Sequence, residues 1–347
     1  MKEAIILIPS YEPDQNLVNV VNSLFNDKFP ILVVNDGSND SFDALFDEIK
    51  DKVTYLSYKD NHGKGYALKY GYKYILDNCK DIKYVITVDG DGQHSIEDIN
   101  KMYSVLLEKD EVVLGVRDFD KDIPPKSKFG NWYSRINRSW LTKKYLPDDQ
   151  CGLRGFPIRY IPYMIKIKGN RYEYEMNQII RLQMMHVDII TLPIKTIYEG
   201  GKNSTTHFAP FMDTLRIHSL IAYHAIPCIL CNLILISMMI LAFHYTSLPT
   251  YAPIYISYLG VTLLYIALVN IIYPVRNRWA SIGVELLSTG LEMLIAHLLL
   301  WLTIDIFKWN YIAITPFVVV LASLINIPLA AFLDYANRSI EKEKNNN

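Results

Sequence analysis

Residues 84–94 read Tyr-Val-Ile-Thr-Val-Asp-Gly-Asp-Gly-Gln-His, a short β-rich run that ends in two acids and two glycines. The apolar residues Val85–Val88 favour a buried strand, and the acids Asp89 and Asp91 follow at its end. Two carboxylates one residue apart can share a hard divalent cation, and Gly90 lets a diphosphate approach the backbone. The alternative is a solvated acidic turn. An EF-hand is excluded because the twelfth loop position is Asn100 rather than an acid.

Residues 1 to about 120 repeat one rhythm, in which a short apolar run is followed by turn residues and a segment of helical period. Strands are predicted at Ile5–Ile8, Ile31–Val34, Val53–Ser57, Val85–Val88 and Val112–Gly115, and helices at Asn16–Phe25, Gly65–Leu76 and Ser95–Leu107. This alternation favours right-handed crossovers and therefore an α/β, Rossmann-like fold with a mostly parallel sheet.

Polar residues follow each predicted strand, and in an open parallel sheet ligands collect beyond these carboxyl ends. The candidates are Pro9, Tyr11 and Glu12 after strand one, Asp36 after strand two, Gly63-Lys64-Gly65 after strand three, Asp89 to His94 after strand four and Arg117 after strand five. Asp36 is either a turn former or an acceptor for a ribose or base. Lys64 lies in either a helix-capping turn or a phosphate cradle, because no Ser or Thr completes a P-loop. Five strand ends at one crevice predict a nucleotide site.

The second half of the chain has a different composition. Only six of the 71 charged residues lie between Ser219 and Leu333, where four apolar runs occupy about 219–243, 253–273, 283–306 and 311–333. Each run reaches the roughly 20 residues that a helix needs to cross a bilayer. We therefore expect a soluble domain at 1–210 and an all-α, four-helix transmembrane domain at 211–347.

Charge near these runs predicts the orientation of the chain. The loop at 244–251 carries no Lys or Arg, whereas Arg276 and Arg278 lie in the middle loop and basic residues follow the last run. The positive-inside rule then places both termini in the cytosol. The apolar run Ile5–Ile8 is too short for a signal peptide, which also leaves the first domain cytosolic. We expect a multi-pass protein of the plasma (inner) membrane.

Six motifs occur in an ordered set: IPSYEPD at 8–14, VVNDGSND at 33–40, NHGKGYALKYG at 61–71, DGDGQH at 89–94, GVR at 115–117 and DDQCGLRGF at 148–156. In this order they resemble family 2 glycosyltransferases of the GT-A fold, and among them the polyprenyl-phosphate sugar transferases that include dolichol-phosphate mannose synthase. The likeness covers about residues 4–210. The C-terminal half resembles a GtrA-like membrane domain through its helix count and its fusion to such a transferase.

The resemblance implies a role for each matching residue. Pro9, Tyr11 and Asp36 would hold the nucleoside, and Asp89, Asp91 and Gln93 would hold Mg²⁺ or Mn²⁺ against the diphosphate of a UDP- or GDP-linked sugar. Arg117 would reach a phosphate, and Asp148 would face the acceptor. Two departures from the family pattern concern Glu12, which Pro13 follows in place of an acid, and Lys202, the one basic residue near a lid over the diphosphate.

The chemistry can also be argued from the residues. A sugar nucleotide leaves as a diphosphate, whose developing charge requires a cation and fixed basic groups such as Lys64 and Arg117. A lipid phosphate with a second pKa of roughly 6 is largely anionic at neutral pH, so it needs little help from a general base. Direct attack would invert the anomeric centre.

Residues 126–146 predict an acceptor surface. Aromatic residues recur there at steps of three to four, with basic residues around them that include Lys128, Arg135 and Arg138. This pattern is typical of an interfacial helix that collects anionic lipid. An ordinary amphipathic helix packed on the sheet is the alternative. Within the third apolar run, Glu292 either packs against His224 or lines a polar path, and His297 is read as a helix-helix hydrogen bond.

The main hypothesis is metal-dependent, inverting transfer of one sugar from a nucleotide sugar to polyprenyl (undecaprenyl) phosphate, for modification of a cell-surface or cell-wall glycan. The alternatives are transfer to another lipid or glycan acceptor and a lipid-linked-sugar flippase with an attached loading domain. A net charge of -1 argues against nucleic acid as a partner. The bilayer is an expected partner, and the oligomeric state, a homo-oligomer included, stays open.

Overall fold

A computed structural model of the chain describes residues 2–117, 138, 142, 146–148, 150–185, 187–195, 210–272 and 278–324. The chain divides into two compact units, which we call the catalytic unit and the helical unit. The catalytic unit comprises Met1–Trp132, Leu146–Leu182 and Val187–Leu220, and the helical unit comprises Tyr133–Tyr145, Gln183–His186 and Ile221–Asn347. The predicted domain boundary between residues 210 and 211 stays a prediction.

The catalytic unit contains a seven-stranded sheet among its described residues. Its strands are β1 (Ala4–Ser10), β2 (Ile31–Asp36), β3 (Thr54–Tyr58), β4 (Tyr84–Thr87), β5 (Val112–Arg117), β6 (Arg154–Pro157) and β7 (Ile189–Ile194). They lie in the order β3-β2-β1-β4-β6-β5-β7, and β6 alone runs antiparallel to its neighbours. The five predicted strands and the mostly parallel sheet are therefore confirmed.

Three predicted helices connect these strands, and three further α-helices are described in this unit. They are α1 (Gln15–Asn26), α2 (Asp43–Asp47), α3 (Lys64–Asn78), α4 (Ile96–Lys109), α5 (Ile161–Ile165) and α6 (Glu173–Met184). Asp14 caps α1 by accepting from the Asn16 amide at 2.9 Å, and Ser95 caps α4 by accepting from the Asp98 amide at 3.1 Å. These caps fix where each helix starts and so keep the preceding strand-end loops in place.

The strands β1 and β2 belong to the core of the catalytic unit. All six residues of β2 are buried, as are six of the seven residues of β1. Strands covered on both faces read as continuous apolar runs, which is the pattern that predicts them. Only their carboxyl ends carry polar groups, and these ends face the cleft described below.

The helical unit contains long apolar helices. The first, α7, runs from Pro210 to Tyr245, and its residues Ile221–Tyr245 belong to the helical unit. The helices α8 (Tyr251–Ile272), α9 (Arg278–Leu300, continued as a π-helical stretch over Trp301–Ile306) and α10 (Tyr311–Leu324) follow. Three stretches, Leu215–Tyr245, Tyr251–Leu268 and Leu286–Ile306, are long and apolar enough to cross a membrane. The fourth predicted span is described only as α10. A four-span, GtrA-like domain stays a prediction.

Candidate functional site

A cleft of about 670 Å³ opens at the carboxyl ends of the first five strands. Ten of the residues predicted from the sequence line it, namely Pro9, Tyr11, Glu12, Asp36, Lys64, Asp89, Gly90, Asp91, Gln93 and Arg117. The sheet brings them together because β1, β2, β3, β4 and β5 end at one edge, as the parallel topology requires. Lys202, Lys128 and Arg135 lie outside the described residues.

Asp89 occupies the middle of the cleft and is held from three sides. Its Oδ1 accepts from the Lys64 ammonium at 2.7 Å, and His94 Nε2 lies 3.9 Å from its Oδ2. A Cβ built on Gly152 would come within 2.1 Å of Asp89 Oδ2, so a larger residue at that position would displace the Asp89 carboxylate. Burial opposes ionisation, but Lys64 and His94 outweigh it and hold the pKa of Asp89 well below its usual range.

Asp91 lies beside Asp89, in an environment that is less favourable for the ionised carboxylate. Burial and the neighbouring Asp89 charge raise the pKa of Asp91, whereas the Gln93 amide donates to its Oδ1 at 3.1 Å and opposes that shift. Two carboxylates near each other in a partly buried cleft carry electrostatic repulsion that a divalent cation relieves.

The residues present fit a hard cation that is shared with a diphosphate. Mg²⁺ in proteins is usually held by one or two carboxylates together with substrate phosphates and water. The carboxylates of Asp89 and Asp91 and the side-chain carbonyl of Gln93 offer oxygen ligands of this kind. Among the described residues, no cluster of three or more His, Cys, Asp or Glu forms a metal site made of protein ligands alone. A cation here would therefore depend on the nucleotide for its remaining ligands.

Lys64 is the first residue of α3 and lies between two acids. Its ammonium contacts Asp89 at 2.7 Å and Glu175 Oε2 at 2.8 Å. Burial opposes the charged form, but the two carboxylates outweigh it and raise the pKa of Lys64. A Cβ on the flanking Gly63 or Gly65 would meet Arg171 or Tyr174 at 2.5 Å or less. Gly63 and Gly65 thus let the start of α3 pack closely against Arg171 and Tyr174.

Asp36 organises the loop that precedes α3. Its two oxygens accept four hydrogen bonds from the protein, whose donors are the Tyr58 hydroxyl at 2.7 Å, the Asn61 side chain at 3.2 Å, the His62 amide at 2.9 Å and the Gly63 amide at 2.8 Å. A carboxylate has about four lone-pair positions, so the protein alone can satisfy this one. Asp36 therefore fixes the loop that lines the cleft, and its direct contact with a nucleoside stays a prediction.

Arg117 and Asp148 form a two-point ion pair at the other end of the cleft. Arg117 donates from Nε to Asp148 Oδ2 at 2.7 Å and from Nη2 to Oδ1 at 3.1 Å. The Gln150 amide also donates to Asp148 at 3.0 Å, and Asp148 is only 2% exposed. Asp148 therefore positions the Arg117 guanidinium, which lines the cleft, whereas its predicted role toward the acceptor stays a prediction.

The sequence analysis missed several residues of this region. Arg171 and Tyr172 line the cleft, and Glu175 contacts Lys64 from behind. All three belong to residues 169–178, which carry no short motif. A signal was present in the stretch Arg-Tyr-Glu-Tyr-Glu at 171–175, where two acids fall in the first turn of α6.

Arg138 differs from its predicted surroundings. The sequence places it on the polar side of an interfacial helix, but it is fully buried in the helical unit and donates to Gln183 Oε1 at 3.0 Å. A buried guanidinium needs hydrogen-bond acceptors. Because Gln183 lies 45 positions from Arg138 in the sequence, the periodicity of residues 126–146 could not reveal this pair. Arg138 is therefore not the exposed lipid-collecting cation that the pattern predicts.

Comparison with known proteins places this geometry in a family. The model of glycosyl transferase family 2 matches residues 5–162. The UDP-N-acetylglucosamine–dolichyl-phosphate N-acetylglucosaminyltransferase of Methanococcus voltae is 30% identical over 216 residues, which are 56% of this chain and 85% of that protein. The dolichyl-phosphate beta-glucosyltransferase of Dictyostelium discoideum is 28% identical over 61% of this chain and 70% of its own.

The chain belongs to glycosyl transferase family 2, and it is a glycosyltransferase. Its relatives include sugar transferases that are named for dolichyl phosphate. Among solved structures, glucosyl-3-phosphoglycerate synthase of Mycobacterium tuberculosis covers 64% of this chain and 77% of its own at 12% identity, with a TM-score of 0.47.

Proposed function

We propose that the chain transfers one sugar from a nucleotide sugar to a polyprenyl phosphate, with inversion at the anomeric carbon and with Mg²⁺ or Mn²⁺ bound at Asp89 and Asp91. The observation that carries the proposal is the cleft itself, in which an acid pair, Lys64 and Arg117 converge at the strand ends. Relatives named for dolichyl phosphate support a polyprenyl phosphate as the acceptor.

The donor would occupy the cleft from β1 to β4. Pro9, Tyr11 and the loop held by Asp36 form its nucleoside end, and Asp89, Asp91 and Lys64 form its diphosphate end. A bound divalent cation would neutralise the charge that develops on the departing diphosphate. The Lys64 ammonium contributes a second fixed positive charge, already oriented by two carboxylates before the donor arrives.

The acceptor phosphate would approach from the Arg117 end. Asp148 and Gln150 hold this guanidinium in a fixed direction, so little conformational entropy is lost when an anion binds. Because the phosphate is anionic at neutral pH, it attacks without a protein base. Direct attack opposite the diphosphate converts an α-linked donor into a β-linked lipid product.

The helices of the helical unit support an acceptor in a bilayer. Three of them are long and apolar enough to span it. We propose that the catalytic unit lies on the cytosolic side, as the basic loops indicate. A cysteine at Ser247 should then react with a membrane-impermeant maleimide added outside intact cells, and failure to label would reverse this orientation.

The test uses the purified full chain in liposomes. UDP-N-acetylglucosamine, UDP-glucose and GDP-mannose are each offered with polyprenyl phosphate, with the same polyprenol lacking its phosphate and with diacylglycerol. Mass spectrometry should find one added sugar on the lipid phosphate alone, and excess EDTA should abolish the product. Product on diacylglycerol or full activity in EDTA would contradict the acceptor or the metal assignment, respectively.

A further inference from the structure

Glu175 contacts the catalytic machinery without lining the cleft. Its Oε2 lies 2.8 Å from the Lys64 ammonium, and Lys64 in turn lies 2.7 Å from Asp89. The described cleft wall includes Lys64 and Asp89 but not Glu175. Glu175 therefore affects a bound ligand through its contact with Lys64 and through its charge, and not by touching the ligand.

Glu175 is itself anchored from behind. Its carbonyl accepts from Arg154 Nη1 at 2.7 Å, and its carboxylate lies 3.8 Å from Arg154 Nε. Arg154 is 2% exposed and donates from Nε to the Cys151 carbonyl at 2.8 Å. The charges thus alternate in one row from Asp89 through Lys64 and Glu175 to Arg154. Because its far end is rigid, Glu175 presents a fixed second acceptor to Lys64.

This row of charges determines how strongly the Lys64 ammonium competes with a divalent cation for the Asp89 carboxylate. With two carboxylates at nearly equal distance, the ammonium divides its interaction between them. If Glu175 were neutral, Lys64 would keep Asp89 as its one carboxylate partner within contact distance and would neutralise it more completely. The cleft would also gain one unit of positive charge. Both changes disfavour a cation at Asp89 and favour an anion.

We propose that Glu175 is a positioning residue that shares the Lys64 ammonium with Asp89, so that Asp89 is neutralised less completely and can bind a divalent cation while Lys64 is held beside the diphosphate end of the cleft. The inference rests on the proposed metal site. It adds a residue that touches neither ligand and assigns it opposite effects on the binding of the two.

The experiment measures the two ligands separately on the purified full chain. Mn²⁺ binding is titrated by electron paramagnetic resonance at saturating UDP, with a protein-free blank for the Mn²⁺–UDP complex, and UDP binding is measured separately by calorimetry in EDTA. Glu175→Gln should raise the Mn²⁺ dissociation constant by roughly fivefold or more, as expected for one charge removed near the site. UDP affinity in EDTA should stay the same or rise. The matched control is Glu108→Gln, an exposed position on α4 with the same change in net charge.

Two further variants separate positioning from a folding defect. Glu175→Asp keeps the charge and should restore most of the Mn²⁺ affinity. Lys64→Met combined with Glu175→Gln removes the competing ammonium, so this double variant should bind Mn²⁺ more tightly than Glu175→Gln alone.

Each contrary result has a distinct meaning. If the wild-type protein binds no Mn²⁺, the metal assignment under the proposed function fails. If wild type binds Mn²⁺ and Glu175→Gln binds it equally well, the positioning role fails. Mn²⁺ and UDP affinities that fall together, with a lower unfolding temperature, would assign Glu175 to structure and also overturn the inference.

Discussion

The two units of the chain both bury apolar side chains, but they differ in the side chains that they expose. In the catalytic unit, leucines such as Leu7 and Leu17 are fully buried. In the helical unit, Leu294 and Leu298 are 58% and 61% exposed, whereas Ser257, Ser288 and Thr315 are buried. The hydrophobic effect explains the first pattern only. The second pattern indicates a unit whose outer surface is solvated by lipid, since small and polar residues at helix contacts are typical of membrane bundles.

The buried polar groups differ between the units in the same way. In the catalytic unit they form a row of full charges that ends in an open cleft at Asp89. In the helical unit, half-buried polar groups pair between neighbouring segments, as in the 2.7 Å contact of the Tyr255 hydroxyl with His297 and the 2.8 Å bond from Thr250, in the turn before α8, to Asp305. We infer that the first set serves chemistry and the second serves packing.

The largest effect is expected at the acid pair of the cleft. Asp91→Asn should lower the rate of transfer by about a thousandfold, because the cation site loses a charged ligand worth several kcal/mol in the transition state. Burial and Asp89 raise the pKa of Asp91, so its charge disfavours the folded state above that pKa, and removing it should not lower the unfolding temperature. The control is Asp81→Asn at an exposed turn. Equal activity of both variants would show that the acid pair does not bind the catalytic cation.

The next effect compares two leucines of similar exposure. Leu294 is 58% exposed in α9, and Leu107 is 47% exposed in α4. Leu294→Arg should cost about 2.5–3.5 kcal/mol of membrane insertion, whereas Leu107→Arg should change stability by about 0.5 kcal/mol or less. A glycosylation-tag assay measures the membrane insertion of Leu294→Arg, and thermal unfolding measures the stability of Leu107→Arg. Equal tolerance at both positions would mean that α9 faces water.

A smaller effect is expected at the ion pair of the cleft. Asp148→Asn should lower the rate of transfer roughly 10- to 100-fold, because Arg117 loses the partner that orients it. If Asp148 acts through Arg117, adding Arg117→Gln to Asp148→Asn should cost little more than either change alone. Additive losses would instead give Asp148 its own contact with the acceptor.

The smallest effect is expected at a polar pair between membrane helices. Tyr255→Phe removes the bond to His297 and should destabilise the helical unit by about 0.6 kcal/mol with no change in the rate of transfer. Tyr245→Phe, at a 77% exposed tyrosine, is the control. A selective loss of transfer in Tyr255→Phe would assign this pair to function rather than to packing.

The sequence predicted the cleft residues at the strand ends because their positions depend on local patterns. Buried strands read as apolar runs, and their ends are marked by the residues that follow them, as with Val88 before Asp89 and Val116 before Arg117. β6 could not be recognised in this way, since its four residues include a glycine, a proline and the buried Arg154. It is held by neighbouring strands rather than by its own propensity.

The contacts that the sequence did not predict join distant residues. Lys64 and Glu175 are 111 positions apart, and Arg117 and Asp148 are 31 apart. No spacing rule links them, although Gly63 and Gly65 hinted that some segment approaches α3 closely. Arg138 shows the converse, because its basic periodic stretch predicted exposure, whereas Arg138 is buried and donates to Gln183, 45 positions away.

The identity of the released nucleotide tests the central claim most directly. Purified full chain in liposomes with polyprenyl phosphate is given a UDP-sugar, and ³¹P NMR follows the products. Transfer of the sugar alone predicts one equivalent of UDP and a lipid that keeps a single phosphate. Release of UMP with a lipid diphosphate, or release of UDP with the sugar free in water, would contradict direct transfer to a lipid phosphate.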